Sequence, residues 1–287
     1  MGLPFFTRAV LGFPTAVTIR ESMWSDALSP VRWLVRGTLF LWHATVNLAV
    51  ALVLLGPWGQ RTVLWGRPLS EWALTLWSNG TCRLFGIVPR WSGQLADGPV
   101  LVVSNHLSWA DIQLMHCVGP VSFVAKAEIG DWPVFGFLAD RGGTIYHKRG
   151  CHDSASSVFG QVLAHLEGGG RVAVFPEGGV LPGSHVHRFH ARMFKVAQET
   201  QCAIQPAMVR YLRDHRRDDD AGFRDGEPFI PNLVRMMGRR SVVADLQFLE
   251  PFEPEGLPRK QLAARAEAAV REAYEAPVAL DGEPSVA

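Results

Sequence analysis

The longest apolar stretch of the chain lies near its N-terminus. From Gly37 to Trp58 there is no charged residue over 22 positions, and a helix of that length measures about 33 Å against a bilayer hydrocarbon core of about 30 Å. His43 and Asn47 lie four residues apart on one helix face, where they can mark a helix contact or an in-plane placement. A buried core helix is the alternative. The pattern predicts a membrane anchor, either spanning the bilayer or lying in its interface.

A second, amphipathic segment follows at residues 69–87. Its apolar residues Trp72, Leu76 and Trp77 recur at helical spacing, whereas Glu71 and Ser78 are more polar. We expect this helix to lie along the membrane interface beneath the first one.

Short apolar strands alternate with helical segments further along the chain. The strand candidates are Val100–Val103, Thr144–Tyr146, Val172–Phe175 and Cys202–Ile204, each followed by polar or glycine-rich turns. The segment Leu257–Ala276 has the spacing of a surface helix with one apolar face. This alternation predicts an α/β fold, a mixed sheet flanked by helices with a site along one sheet edge, preceded by the hydrophobic helical anchor.

The same pattern divides the chain into four parts. Residues 1–30 form an N-terminal segment whose prolines argue against a cleaved signal peptide. Residues 31–90 form the helical membrane anchor, residues 91–276 the α/β domain, and residues 277–287 a tail that we expect to be disordered. Within the domain, the charged segment 213–228 is predicted to be a solvated loop.

His106 and Asp111 stand directly after the strand Val100–Val103, in the sequence NHLSWAD. Five residues along a straight helix rotate a side chain by about 500°, about 140° off the starting face, so the two side chains meet only across a strand-to-helix turn. Ser104 and Asn105 are suitable capping residues for such a turn. Asp111 can then hold one imidazole nitrogen and leave the other as a proton acceptor, which predicts a general base. The alternative is a capped helix start with an incidental histidine.

Two further polar clusters follow predicted strands. The basic residues His147, Lys148 and Arg149 come after one strand, and the sequence Pro176-Glu177-Gly178-Gly179 comes after another. The basic cluster can equally be a solvated turn. A carboxylate between a proline and two glycines is unlikely to be selected for packing, so Glu177 is predicted to be functional.

The ordered blocks NHLSWAD, GGTIYHKRG, FPEGG and IQPAMVRY, over roughly residues 85–212, resemble the four motifs of the glycerophospholipid acyltransferases. This is the HxxxxD family, which includes the 1-acylglycerol-3-phosphate acyltransferases. Four blocks in the right order are far more specific than any one of them. The resemblance implies that residues 91–276 are an acyltransferase domain held at the cytoplasmic membrane, with its active site on the cytosolic face.

The resemblance also implies a role for each matching residue. His106 would deprotonate the free hydroxyl of a lysophospholipid, which attacks the thioester of acyl-CoA or acyl carrier protein, while Asp111 orients and supports the imidazolium. No acyl-enzyme and no cofactor beyond the thioester co-substrate are expected. Arg149 would bind an acceptor phosphate, and Glu177 and Gly178 would bind the glycerol-phosphate.

Lys126 matches a basic residue that similar proteins carry near the site, or else is a surface lysine. The third block departs from the family pattern, because Gly179 and Val180 follow where the family usually has Thr and often Arg or Ser. The basic segment 183–195, with Arg192, could compensate. The histidines of that segment fit no metal-binding motif, so no metal is expected.

The amino-acid composition is consistent with this prediction. The 28 basic and 27 acidic residues give a net charge of +1, so nothing indicates a nucleic-acid partner. The four cysteines show no CxxC pairing, which favours a reducing, cytosolic environment.

The sequence therefore predicts a membrane-bound enzyme that acylates the sn-2 hydroxyl of lysophosphatidic acid to give phosphatidic acid. The alternative within enzymes is acylation of another lysolipid, such as a lyso-aminolipid or lysophosphatidylglycerol. A catalytically silent lipid-binding protein of the same fold is the alternative from another class. The chain has no GxSxG element, which argues against a hydrolase.

Overall fold

A mixed β-sheet forms the centre of the molecule. The computed structural model describes residues 26–131, 135–147, 152–180 and 185–278. Its strands in chain order are β1 (Val63–Leu64), β2 (Arg67–Pro68), β3 (Ile87–Ser92), β4 (Val100–Ser104), β5 (Ser122–Lys126), β6 (Ile145–His147), β7 (Arg171–Val174), β8 (Ala203–Arg213), β9 (Arg216–Arg217) and β10 (Val242–Phe248).

The sheet is surrounded by helices, and the N-terminal helices extend away from it. The helices are α1 (Ser29–Leu54, with a π-helical turn at His43–Asn47), α2 (Pro57–Arg61), α3 (Leu69–Leu84), α4 (Ala110–Val118), α5 (Phe135–Arg141), α6 (His152–Glu167), α7 (Phe194–Thr200), α8 (Phe229–Gly238) and α9 (Arg259–Glu275). Single 3₁₀ turns lie at Ala127–Ile129 and Asp219–Ala221.

The main sheet has the strand order β3-β10-β8-β4-β7-β5-β6, and β9 adds to β8. β4, β5, β6, β7 and β8 run parallel, β10 is antiparallel to β8, and β3 is parallel to β10. Every residue of β4 is buried, as expected for a central strand whose two faces are both covered. The predicted α/β fold with a mixed sheet is confirmed, and the carboxyl ends of β4 and β7 meet at one edge of the sheet.

The predicted strands and the C-terminal helix are confirmed, with one difference in length. The strand predicted at Cys202–Ile204 does not stop at Ile204 but continues as β8 through Pro206 to Arg213. Proline is tolerated there because it lacks only the N–H, whereas its carbonyl still accepts the backbone N–H of Leu249 at 2.9 Å. The longer strand brings residues 207–212 alongside both β10 and the turn that follows β4.

The N-terminal helix α1 is attached to the domain along one polar stripe. Arg36 donates to the carbonyls of Met236, Met237 and Arg239 at 3.2, 3.0 and 2.7 Å, at the C-terminal end of α8 and the residue after it, where helix carbonyls lack intrahelical donors. Seven residues on, the ring of His43 stacks on Trp77 of α3 at 3.9 Å. Within the described residues α1 is the one helix long and apolar enough to cross a membrane.

The side of α1 opposite this stripe is apolar and open. Leu34, Leu41 and Val53 are 71, 66 and 63% exposed. α3 is confirmed as a helix, but the face of Ser78, expected to be polar, is buried because α3 packs against both α1 and α4.

The prediction of a solvated loop over residues 213–228 is wrong for two of its carboxylates. The side chains of Glu227 and Asp218 are only 9 and 10% exposed; Glu227 pairs with Arg235 of α8 at 2.7 Å, and Asp218 pairs with Arg239 at 3.0 Å. Burial of these charges is tolerated because arginines from α8 and its C-terminal end compensate them. The segment therefore packs beneath the turn that carries His106, where the backbone N–H of Phe223 donates to the carbonyl of Leu107.

Candidate active site

The site begins where β4 leaves the sheet. Ser104 is the last residue of β4 to pair with β8, and the next residue, Asn105, continues the pairing through its side chain. The Asn105 amide donates to the Val209 carbonyl at 2.8 Å and accepts the Val209 N–H at 2.9 Å. Ser104 and Asn105 thus do not cap α4 as predicted, because the Asn105 amide is used to replace backbone pairing. The main chain is released to turn, and His106 projects from the sheet edge.

Three hydrogen-bond donors of this turn converge on the carboxylate of Asp111. Its Oδ2 accepts the N–H of Leu107 at 2.7 Å, the N–H of Ser108 at 2.9 Å and Nδ1 of His106 at 2.9 Å. Asp111 is completely buried in the first turn of α4, where backbone donors and the helix N-terminus favour the anion. The predicted strand-to-helix geometry is therefore confirmed.

This arrangement assigns the tautomer of His106. Because Oδ2 is an acceptor, Nδ1 carries the hydrogen, and the lone pair belongs to Nε2. The ring stacks on Phe175 with centroids 3.8 Å apart and planes 10° apart, so its rotation is restricted. The His106 side chain is 14% exposed, and Nε2 forms no hydrogen bond to the parts of the chain that the structure describes. An oriented neutral imidazole with a free Nε2 can act as a general base.

Glu177 lies beside His106 at the end of β7. Its Oε2 accepts the backbone N–H of His106, and its Oε1 accepts the backbone N–H of His187, both at 2.8 Å. Burial raises the pKa of Glu177 from 4.5 to about 7, against the lowering effect of these two N–H donors. Both carboxylate oxygens are thus engaged with backbone, and they join the His106 turn to the segment at His187.

Gly178 follows in a backbone conformation with φ of +84°, which glycine adopts without strain. A Cβ at this position would lie 3.3 Å from the His190 ring. The backbone N–H of His190 in turn donates to the Pro176 carbonyl at 2.8 Å. A glycine is therefore required where the two segments cross.

Tyr211 completes the cluster, and the sequence analysis did not identify it. Its hydroxyl donates to Oδ1 of Asp111 at 2.6 Å. Burial and the negative charge of Asp111 raise the pKa of Tyr211 well above its usual value, so the hydroxyl stays protonated and remains a donor. The sequence indicates its role only by its position. Tyr211 ends the block IQPAMVRY, two residues after Val209, the partner of Asn105.

The remaining predicted site residues are less well placed or lie outside the described residues. Lys126 is exposed at the carboxyl end of β5, the same sheet edge as His106. Arg192 is exposed in the turn before α7, and its side chain forms no hydrogen bond or ion pair with the described residues. Arg149 lies in the segment 148–151, outside the described residues. No three metal-ligating side chains come together among the residues that the structure describes.

Comparison with known proteins agrees with this geometry. A family model described as Acyltransferase matches residues 88–210. The chain is 35% identical over 205 residues to the lyso-ornithine lipid O-acyltransferase of Pseudomonas aeruginosa, covering 71% of this chain and 79% of that protein. It is 33% identical over 129 residues to the 1-acyl-sn-glycerol-3-phosphate acyltransferase of Neisseria gonorrhoeae, covering 45% of this chain and 48% of that protein.

The fold is likewise that of a known acyltransferase structure. The crystal structure of the 1-acyl-sn-glycerophosphate acyltransferase PlsC from Thermotoga maritima aligns with a TM-score of 0.65 at 18% identity, over 86% of this chain and 96% of that one. The resemblance seen in the four sequence blocks is confirmed. The chain belongs to the HxxxxD acyltransferase family.

Proposed function

We propose that this protein transfers a fatty acyl group from acyl-CoA or acyl carrier protein to the free hydroxyl of a lysolipid, with His106 as general base. The observation that carries the proposal is the state of the His106 ring, which is fixed by Asp111 at Nδ1 and free at Nε2. The acceptor brings its own hydroxyl, so no serine or cysteine nucleophile is needed.

The reaction then follows from the positions of the groups. Nε2 takes the proton of the acceptor hydroxyl as its oxygen attacks the thioester carbonyl, and the Asp111 carboxylate stabilises the imidazolium that forms. Collapse of the tetrahedral intermediate breaks the C–S bond, and the imidazolium returns its proton to the leaving thiolate. Glu177 enters this proposal through the backbone of His106, which it holds beside the acceptor, and Gly178 allows the turn that places it there.

The proposed acceptor is a lyso-ornithine lipid. The comparison favours this alternative over lysophosphatidic acid, because the Pseudomonas aeruginosa relative matches over 79% of its length and the Neisseria relative over 48%. The sequence after Glu177 agrees, since Gly179 and Val180 offer neither a hydroxyl nor a cation to a phosphate. An ornithine headgroup carries an ammonium and a carboxylate but no phosphate.

Lysophosphatidic acid is the second candidate acceptor. The similarity to the Neisseria enzyme favours it, and Arg149, Lys126 and Arg192 would then be the cations available to its phosphate. For either acceptor, we propose that the exposed apolar side of α1 contacts the cytosolic face of the membrane. An amphiphilic acceptor would then reach His106 without leaving the bilayer.

An acyl-transfer assay on the detergent-solubilised full chain tests these statements. Labelled acyl-CoA and acylated carrier protein are offered with lyso-ornithine lipid, lysophosphatidic acid and lysophosphatidylglycerol. The variants are His106→Ala and, as a matched control, His165→Ala, which removes a half-buried histidine that contacts Ser122.

We expect the wild type and the control to acylate lyso-ornithine lipid, and His106→Ala to form no product. Product from lysophosphatidic acid alone would instead support the second candidate, and Arg149→Ala should then raise KM for that acceptor. No product from any acceptor would contradict the enzymatic proposal and favour a silent lipid-binding protein.

A further inference from the structure

The two oxygens of Asp111 have very different surroundings. Three donors converge on Oδ2, namely Nδ1 of His106 and the N–H groups of Leu107 and Ser108. Among the described residues, Oδ1 has one hydrogen-bond partner, the hydroxyl of Tyr211 at 2.6 Å. Because the carboxylate is fully buried, water does not substitute for that partner.

The direction of this hydrogen bond is also determined. The Ser108 side chain hydrogen-bonds the same Tyr211 hydroxyl, and the Ser108 oxygen accepts the N–H of Ala110 at 3.3 Å. Ser108 can thus donate to Tyr211, while Tyr211 donates its single hydrogen to Asp111. A short bond from a hydroxyl to a carboxylate is among the stronger kinds of hydrogen bond.

Tyr211 is itself held on a rigid element. It lies in β8, paired with Ala244 of β10, and its side chain is buried. The hydrogen bond to Asp111 therefore connects the first turn of α4 to the centre of the sheet, across 100 residues of chain.

We propose that Tyr211 is a positioning residue for acyl transfer, whose hydroxyl fixes the rotation and charge distribution of the Asp111 carboxylate and thereby orients His106. The inference rests on the proposed function in that it takes His106 as the base. Tyr211 itself does not touch the reacting atoms, because the buried carboxylate separates it from the His106 ring.

The expected effect of removing the hydroxyl follows from the hydrogen-bond count. In Tyr211→Phe the Asp111 carboxylate keeps three donors, all on Oδ2. Its rotation is therefore less restricted, and one hydrogen bond fewer stabilises its negative charge. The other titratable groups facing this cluster are Glu177 from the β7 loop, and Cys82 of α3, which hydrogen-bonds Cys117 of α4. None of these three replaces the lost hydroxyl at Oδ1.

The test compares Tyr211→Phe with Tyr274→Phe. The control removes a second buried tyrosine hydroxyl, on α9, which lies near Tyr211 but interacts with Arg217 and forms no hydrogen bond to Asp111. We expect Tyr211→Phe to lower kcat about 10- to 100-fold, as for loss of one hydrogen bond to a charged group. KM for both substrates should change less than about 2-fold.

A double-mutant cycle separates positioning from general loss of structure. In the Asp111→Asn background, Tyr211→Phe should have almost no further effect on kcat, because its partner carboxylate is already absent. Additive losses, or a loss of kcat no larger than that of Tyr274→Phe, would show a merely structural role and overturn the inference.

Two further measurements test the inference without relying on turnover alone. The downfield proton resonance of the His106 to Asp111 hydrogen bond should change in Tyr211→Phe and stay unchanged in Tyr274→Phe. An unchanged resonance in Tyr211→Phe overturns the inference, even if the acceptor proves to be different from the proposed one. If Tyr211→Phe does not fold, fluorotyrosine can replace the three tyrosines of the chain, since it keeps the ring and strengthens the donor. The downfield resonance should then move from its wild-type position, and an unmoved resonance would count against the proposal.

Discussion

Replacement of Asp111 by asparagine gives the sharpest test of the catalytic geometry. The side chain keeps its shape, and an amide oxygen at the Oδ2 position still accepts the N–H groups of Leu107 and Ser108. What is lost is the negative charge 2.9 Å from Nδ1 of His106. The substitution therefore removes the electrostatic support of the imidazolium, and it also places an amide NH2 where Oδ1 accepts the Tyr211 hydroxyl, so that hydrogen bond is lost as well.

The size of the effect follows from that distance. Two unit charges 2.9 Å apart attract by about 6 kcal/mol at an effective dielectric constant of about 20. This attraction is present when His106 is protonated in the transition state and is weak when the ring is neutral in the ground state. The asparagine oxygen recovers part of it as a neutral hydrogen bond, so kcat should fall about 10³- to 10⁴-fold. KM should stay within about 2-fold because the buried Asp111 does not contact substrate.

The assay is steady-state acyl transfer with the best acceptor of the wild type. Asp245→Asn is the matched control, since Asp245 is also a buried carboxylate but pairs with Arg90 and Arg210 away from the site. The control should keep kcat within about 3-fold while losing stability. A fall of less than about 10-fold in Asp111→Asn, with the protein folded, would refute the assignment of His106 and Asp111 as the catalytic pair.

Three further outcomes are expected. His106→Ala should lose at least about 10³-fold in turnover because the proton acceptor is removed, and its thermal unfolding midpoint should also fall, since the buried Asp111 loses a donor and Phe175 loses its stacked ring; a retained kcat would contradict the mechanism. Burial raises the pKa of Glu177 from 4.5 to about 7, so the folded state binds this proton more tightly than the unfolded chain. Its contribution to the free energy of unfolding is present below pH 4.5 and is lost as the pH rises through 7, by at most about 3 kcal/mol. Urea unfolding at pH 5 and pH 8 should show this loss in the wild type and not in Glu177→Gln, and equal pH dependences would disprove it. Arg36→Met should lower the free energy of unfolding by about 2–3 kcal/mol, because the carbonyls of Met237 and Arg239 lose their donor and that of Met236 keeps only the N–H of Arg239. The exposed Arg61→Met should change it by less than about 0.5 kcal/mol, and similar losses in the two variants would contradict the role of Arg36.

Local sequence patterns predicted the parts of the site that are close together in the chain. His106 and Asp111 are five residues apart, and helix geometry alone required a strand-to-helix turn between them. The strands β4 and β7 could also be predicted from their apolar runs, because strands buried on both faces are continuously hydrophobic. The roles of Lys126, Arg149 and Arg192 in substrate binding stay predictions, since they depend on a substrate whose position the pattern does not specify. The same holds for the binding of glycerol-phosphate by Glu177 and Gly178.

Residues distant in the chain were beyond the reach of such patterns. Tyr211 is 100 positions from Asp111, and nothing in its own neighbourhood indicates a carboxylate partner. Glu227 was assigned to a solvated loop because it stands among many charges, yet Arg235 pairs with it in the interior. In both cases the partner that makes the burial favourable comes from another element.

The sequence by itself determined the α/β alternation, the apolar N-terminal helices, the turn that joins His106 to Asp111 and the family of the enzyme. The family followed from the resemblance of four ordered motif blocks, and the other features follow from the spacing of neighbouring residues, which sets helix and strand periodicity directly. Only the tertiary structure decided that Tyr211 holds the second oxygen of Asp111, that Glu177 holds the backbone of His106, and that Arg36 ties α1 to α8. Such contacts depend on the order of strands in the sheet and on which buried polar groups find partners there, and the free energy of satisfying those groups belongs to the folded chain as a whole.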